Sequence, residues 1–139
     1  METGIPPAPG IRVGFDLAQV SGIAGSLRSF GQRFADRLFT ADEQAYALSG
    51  QGQFAQRLAA RFAAKEAVIK ALSLSEAGID WRDIEVRRLP DGDCRVVLHG
   101  RVQQLADAQG VQGISLSMSH EGDIAGAFVT VTSRSIQTP

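Results

Sequence analysis

The segment Arg61-Phe62-Ala63-Ala64-Lys65-Glu66-Ala67-Val68-Ile69-Lys70-Ala71 constrains this chain more than any other. It holds alanines, other good helix formers and no Gly or Pro, so it predicts an uninterrupted helix. At about 100° per residue, Phe54, Leu58, Phe62, Ile69 and Leu72 fall on one apolar stripe. Lys65 points into that stripe, and Glu66 and Lys70 sit on its edge, one turn apart. A carboxylate and an ammonium at the border of a buried face can hold a metal and a phosphate. The same pattern also describes an exposed salt bridge beside a snorkelling Lys65. The helix alone leaves both readings open.

Length and charge narrow the classes. A chain of 139 residues that is 44% hydrophobic is long enough to bury a core as one domain. A formal net charge of -1 argues against a general nucleic-acid or membrane-surface binder. No window approaches the ~18 apolar residues of a membrane span, and the N-terminus lacks a basic-then-apolar signal pattern. The single cysteine, Cys94, cannot form an internal disulfide and suits a reducing, cytoplasmic setting. Charge is nonetheless uneven: Arg28, Arg33 and Arg37 cluster with only Asp36 against them. Such a cluster is either a solvated face or a grip for an acidic partner.

Patterning supplies the remaining elements. Ile11, Val13 and Phe15 alternate with Arg12, Gly14 and Asp16, which predicts a strand. Residues 17–30 read as a short, glycine-interrupted helix or turn. Thr40-Ala41-Asp42-Glu43 is a capping box that starts a helix to about Leu48. The main helix is expected from about Gln53 to Ser73. Ile84 to Leu89 and Cys94 to His99 read as a hairpin across Pro90-Asp91-Gly92-Asp93. Arg101 to Gln109 makes a short helix ended by Gly110. Ile114 to His120 and Ile124 to Thr132 form a last hairpin. The expected class is α+β, a mainly antiparallel sheet packed on a long central helix. Residues 1–10 and 133–139 are expected to be flexible segments outside a domain of residues 11–132. Glu85 is expected to be solvated, and His99 to be structural.

Four ordered pieces carry a resemblance: Gly14-Phe15-Asp16; the Arg61 to Ala71 pattern; Trp81-Arg82-Asp83-Ile84-Glu85-Val86; and Ser117-Met118-Ser119-His120. Together they resemble the holo-(acyl-carrier-protein) synthase family of phosphopantetheinyl transferases. The resemblance implies that fold, and transfer of 4′-phosphopantetheine from coenzyme A to a serine of an apo acyl carrier protein, in fatty-acid and lipid biosynthesis. It implies Mg²⁺ held by Asp16 and Glu66, with Glu66 also the base and Lys70 stabilising the leaving group. It implies that Arg61 and His120 meet coenzyme A phosphate, with Lys65 either a further coenzyme contact or a structural residue. Arg28, Arg33 and Arg37 match the basic region that grips the carrier. A homotrimer is implied, with sites between subunits. Two departures stand out. Gln19 and Gly22 occupy positions where the family often has an acidic and a basic residue, and Ser73-Leu74-Ser75-Glu76-Ala77-Gly78 replaces a glycine-rich turn. A non-catalytic relative that binds carrier protein or nucleotide is the alternative.

Overall fold

The computed structural model describes residues 4–134. Strand β1 (Ile11–Gln19) leads into helices α1 (Val20–Phe30), α2 (Gln32–Leu38), α3 (Ala41–Leu48) and α4 (Phe54–Ala71). A 3₁₀ turn at Trp81–Asp83 precedes β2 (Ile84–Arg88) and β3 (Cys94–Leu98). Helix α5 (Gly100–Ala108) and strands β4 (Val111–Glu121) and β5 (Ile124–Ser133) complete the order. Every strand pairing is antiparallel, but the strands form two sheets rather than one: β1-β5-β4, and the separate β2-β3 hairpin. Ser133, expected in the tail, is the last residue of β5; its N–H donates to Gly10 O at 2.8 Å. Residues 1–3 and 135–139 of the expected flexible segments lie outside the described residues. Among the described residues no helix is long and apolar enough to cross a membrane.

Helix α4 lies across the three-stranded sheet, and small residues let it come close. Ala63, Ala64 and Ala67 have no exposed surface. Opposite them on β1, a Cβ placed on Gly14 would stand 1.9 Å from Ala67 O. The absent side chain is what admits the helix backbone there. Burial on α4 also extends well beyond the predicted stripe, taking in Ala59, Arg61 and Ala67. The reason is that α1, α3 and β2 cover it on further sides. The capping box of α3 is complete: Glu43 N–H donates to Thr40 Oγ1, and Thr40 N–H to Glu43 Oε1. Helix α1 runs through Gly22 and Gly25, and Gly31, at φ 61°, separates it from α2, which the sequence pattern did not reveal.

The opposite face of the three-stranded sheet has no cover in a single chain. Val13, Phe15 and Leu17 on β1 and Phe128 on β5 are each 42–59% exposed. These alternate with the buried positions Gly14, Ala127 and Val129, as a strand's period of two requires.

Candidate active site

Asp16 follows Gly14 by two residues on β1, so it shares the face that meets α4. There it converges with Glu66 and Lys70. Lys70 Nζ donates to Asp16 Oδ1 at 2.7 Å and to Phe15 O at 3.1 Å. Burial pushes the Glu66 carboxyl above its ordinary pKa, the Asp16 charge adds to this, and Lys70 offsets part of it. Lys70 is pushed up in turn, chiefly by its hydrogen bond to Asp16. The cluster is therefore two carboxylates and one ammonium, the ammonium bonded to Asp16, half-open to solvent. An adjoining cleft of about 320 Å³ runs from Glu66 past Ile69 and Leu74 to Ile79 and Trp81.

The donor set fits a hard divalent cation. Carboxylate oxygens are its preferred ligands, and a bound cation would offset both the burial and the Asp16 charge that raise Glu66. Among the described residues there is no group of three or more His, Cys, Asp or Glu side chains able to hold a metal. A cation here would take two protein oxygens and complete its shell with water and phosphate oxygens.

Lys65 requires a correction. It has no exposed surface, and its ammonium points into the core, away from the carboxylate pair. It donates to Glu43 Oε1 at 2.9 Å, to Trp81 O at 3.2 Å and to Ile84 O. Burial lowers its pKa, and the Glu43 charge opposes that. Its three donors are spent, so Lys65 is a structural pin rather than a coenzyme ligand. Glu85 is also corrected: at 3% exposure it is bonded to Thr40, Arg87 and His99. His99 is structural, its Nε2 2.9 Å from Glu85 Oε1.

Arg61 sits on another face of α4 from Glu66, as its spacing requires. It is 3% exposed, stacks its guanidinium 4.4 Å over the Tyr46 ring, and leaves Nε without a hydrogen-bond partner. Burial lowers its pKa. Arg57 stacks over the same ring at 4.3 Å. Neither Tyr46 nor Arg57 was anticipated, because nothing in sequence links α3 to the first turns of α4.

His120 is the penultimate residue of β4, with Nδ1 2.5 Å from Gln56 Nε2 on α4. The register runs Asp16–Ala127–Met118, placing His120 two strands and two residues away from Asp16. That is roughly 12 Å between backbones. One chain therefore does not bring His120 to the carboxylates. Arg28 lies in the last turn of α1, while Arg33 and Arg37 lie a turn apart on α2, all three exposed. Arg33 and Arg37 line one open cleft; Arg28 does not.

Comparison with known proteins shows the family. The family model described as the 4′-phosphopantetheinyl transferase superfamily matches residues 12–129. The holo-(acyl-carrier-protein) synthase of Gloeobacter violaceus is 42% identical over 120 residues, covering 86% of this chain and 91% of the relative. Two solved structures superpose closely. The ACPS–CoA complex of Chronobacterium ammoniagenes has a TM-score of 0.78 at 32% identity, covering 89% of this chain and 98% of the other. The holo-(acyl-carrier-protein) synthase of Neisseria meningitidis has a TM-score of 0.77 at 32% identity, covering 88% and 98%.

Proposed function

This chain belongs to the 4′-phosphopantetheinyl transferase superfamily, within its holo-(acyl-carrier-protein) synthase family, and on that premise we propose its reaction. It transfers 4′-phosphopantetheine from coenzyme A to a serine of an apo acyl carrier protein and releases adenosine 3′,5′-bisphosphate. The observation that carries this reading is the convergence of Asp16, Glu66 and Lys70 from two elements on one half-open site. It works in the cytoplasm, which an unpaired Cys94 suits.

The roles follow from charge and position. Asp16 and Glu66 would hold Mg²⁺, which when bound neutralises charge on the coenzyme's pyrophosphate. Glu66 takes the proton of the acceptor serine, directly or through one water. The serine oxygen forms its bond to phosphorus as the bond to the departing bisphosphate breaks. Lys70, protonated and pointing at the same place, stabilises the negative charge on that leaving group. Arg61 would contribute its positive charge to the coenzyme's phosphates. Arg33 and Arg37, with Arg28 beside them, meet the acidic carrier.

The uncovered sheet face supports a homotrimer. Val13, Phe15, Leu17 and Phe128 form an apolar surface that a second copy would remove from water, and a cleft on that face reaches His120. The test is direct: the protein, coenzyme A, Mg²⁺ and a panel of apo carriers are mixed and the carriers weighed by mass spectrometry. A carrier gaining one phosphopantetheine supports the reading; unchanged mass across the panel overturns it.

A further inference from the structure

An open cleft of about 990 Å³ separates α2 from the segment 79–82. Arg33 and Arg37 line one side, and Arg82 lines the other. Neither Arg33 nor Arg37 has an ion-pair partner among the described residues. Asp36, in the same cleft, is engaged by Gln32 at 2.7 Å and Gln44 at 3.1 Å. Arg82 is held rather than free to swing. Its Nε donates to Asp80 Oδ1 at 3.1 Å and an Nη to Asp80 Oδ2 at 2.8 Å, while its backbone N–H also donates to Asp80 Oδ1. A two-pronged grip of this kind fixes the plane of the guanidinium, and the side chain still keeps 53% of its surface exposed.

The cleft also borders the candidate active site. Ile79 and Trp81 line it and line the Glu66 cleft on their other side. The Trp81 ring is braced by stacking on Phe62 at 5.3 Å between centroids. A partner seated among the three arginines has Ile79 and Trp81 between it and the Glu66 cleft.

We propose that Arg82 is a positioning residue for the carrier protein, closing with Arg33 and Arg37 a three-arginine cleft that seats an acidic segment and directs its serine past Trp81 to Glu66. The inference rests on the carrier-modifying reading above. Arg82 touches no reacting atom; it acts on encounter and orientation, where rim charges have their main effect.

The test uses the whole chain with Arg82→Gln, Arg82→Glu and, as a charge reversal at another exposed arginine on β3, Arg95→Glu. The expected rise in KM for the apo carrier is about threefold for Arg82→Gln and about tenfold for Arg82→Glu. KM for coenzyme A and kcat stay within about twofold, and carrier use by Arg82→Glu loses salt sensitivity. Arg95→Glu leaves the carrier constant unchanged. Trp81, the single tryptophan, supplies a second readout: its emission is titrated with apo carrier without coenzyme A, and the midpoint moves up in Arg82→Glu. An active parent with carrier constants unchanged in Arg82→Glu, or raised equally in Arg95→Glu, overturns the cleft. An inactive parent whose Trp81 titration still depends on Arg82 overturns the catalytic reading and leaves the cleft standing. An inactive parent with no Arg82-dependent titration removes both.

Discussion

Gly14→Ala tests the joint on which the candidate site is built. The new Cβ would stand 1.9 Å from Ala67 O, 2.9 Å from Ala67 C and 3.2 Å from the Ala71 Cβ. A carbon and an oxygen rest at about 3.3 Å, so α4 and β1 must part by roughly 1.4 Å. Overpacking of this kind costs about 1–3 kcal/mol. The upper end applies because Ala63, Ala64, Ala67 and Val68 are fully buried, and retreat of α4 opens a gap beside each. At about 2.1 cal/mol/K per residue, ~3 kcal/mol lowers the Tm of a chain this size by about 10 °C. The site suffers separately. Asp16 is two residues along β1, and its 2.7 Å contact with Lys70 does not survive a shift of that size. A misplacement of about 1 Å can cost ~10²-fold in rate. Gly25→Ala is the contrast: in the middle of α1, its nearest foreign atom is 3.8 Å from the new Cβ. It should stabilise by about 0.5–1 kcal/mol, since alanine loses less backbone entropy in a helix. Thermal melts followed by circular dichroism, with steady-state transfer on the survivors, measure both. A Gly14→Ala protein melting within about 2 °C of the parent, with unchanged turnover, would refute the close approach.

Two further perturbations separate stability from activity. Glu66 titrates above its unfolded value, so the folded chain binds that proton more tightly; its contribution to stability is full below pH 4.5 and is lost as pH rises through the folded value. Glu66→Gln should therefore melt higher than the parent at pH 7, by a margin that shrinks toward pH 4, while losing about 10²-fold or more in transfer; a margin independent of pH would contradict the assigned cause. Lys65→Met leaves Glu43 charged and buried without its cation, which should destabilise by about 3–5 kcal/mol in urea titrations. The coenzyme KM of the folded fraction should stay within about twofold, and a large rise with unchanged stability would restore Lys65 to the coenzyme site.

The legible parts of this fold were those set by local chemistry. The Thr40–Glu43 capping box, the turn at Pro90–Asp93 and the long α4 each follow from a few adjacent residues. Gly14 permits a close approach, but only the fold shows that Ala67 is what approaches. What failed depends on contacts distant in sequence. Lys65 on an apolar stripe could snorkel or be buried, and the choice was made by Glu43, 22 residues earlier, which doubles as cap and counter-ion. Glu85 alternates as a solvent-facing strand residue would, but Thr40, Arg87 and His99 enclose it. The glycine-rich turn absent from the sequence is made by Ser73 at φ 56°, a left-handed conformation usually left to glycine. Its C-terminal hydrogen bonds, Ser73 N–H to Lys70 O and Leu74 N–H to Ile69 O, hold the bend that Gly would have eased.

His120 gives the sharpest test of the homotrimer. It stands roughly 12 Å of backbone from Asp16 within one chain, beyond direct contact between the two side chains. It borders the cleft on the uncovered face, where Phe15 and Leu17 would meet a second copy. If each site takes Asp16 from one chain and His120 from its neighbour, two inactive variants can repair one another. Asp16→Asn and His120→Ala, each purified and then unfolded, mixed equally and refolded together, form random cyclic trimers. A site is whole when the chain supplying Asp16 is the His120 variant and the chain supplying His120 is the Asp16 variant. Each condition holds half the time, so about a quarter of the parent activity should return on mixing. Sites built within single chains recover none. Recovery near zero in a mixture that light scattering confirms as trimeric would assign His120 to its own chain's site, or to none.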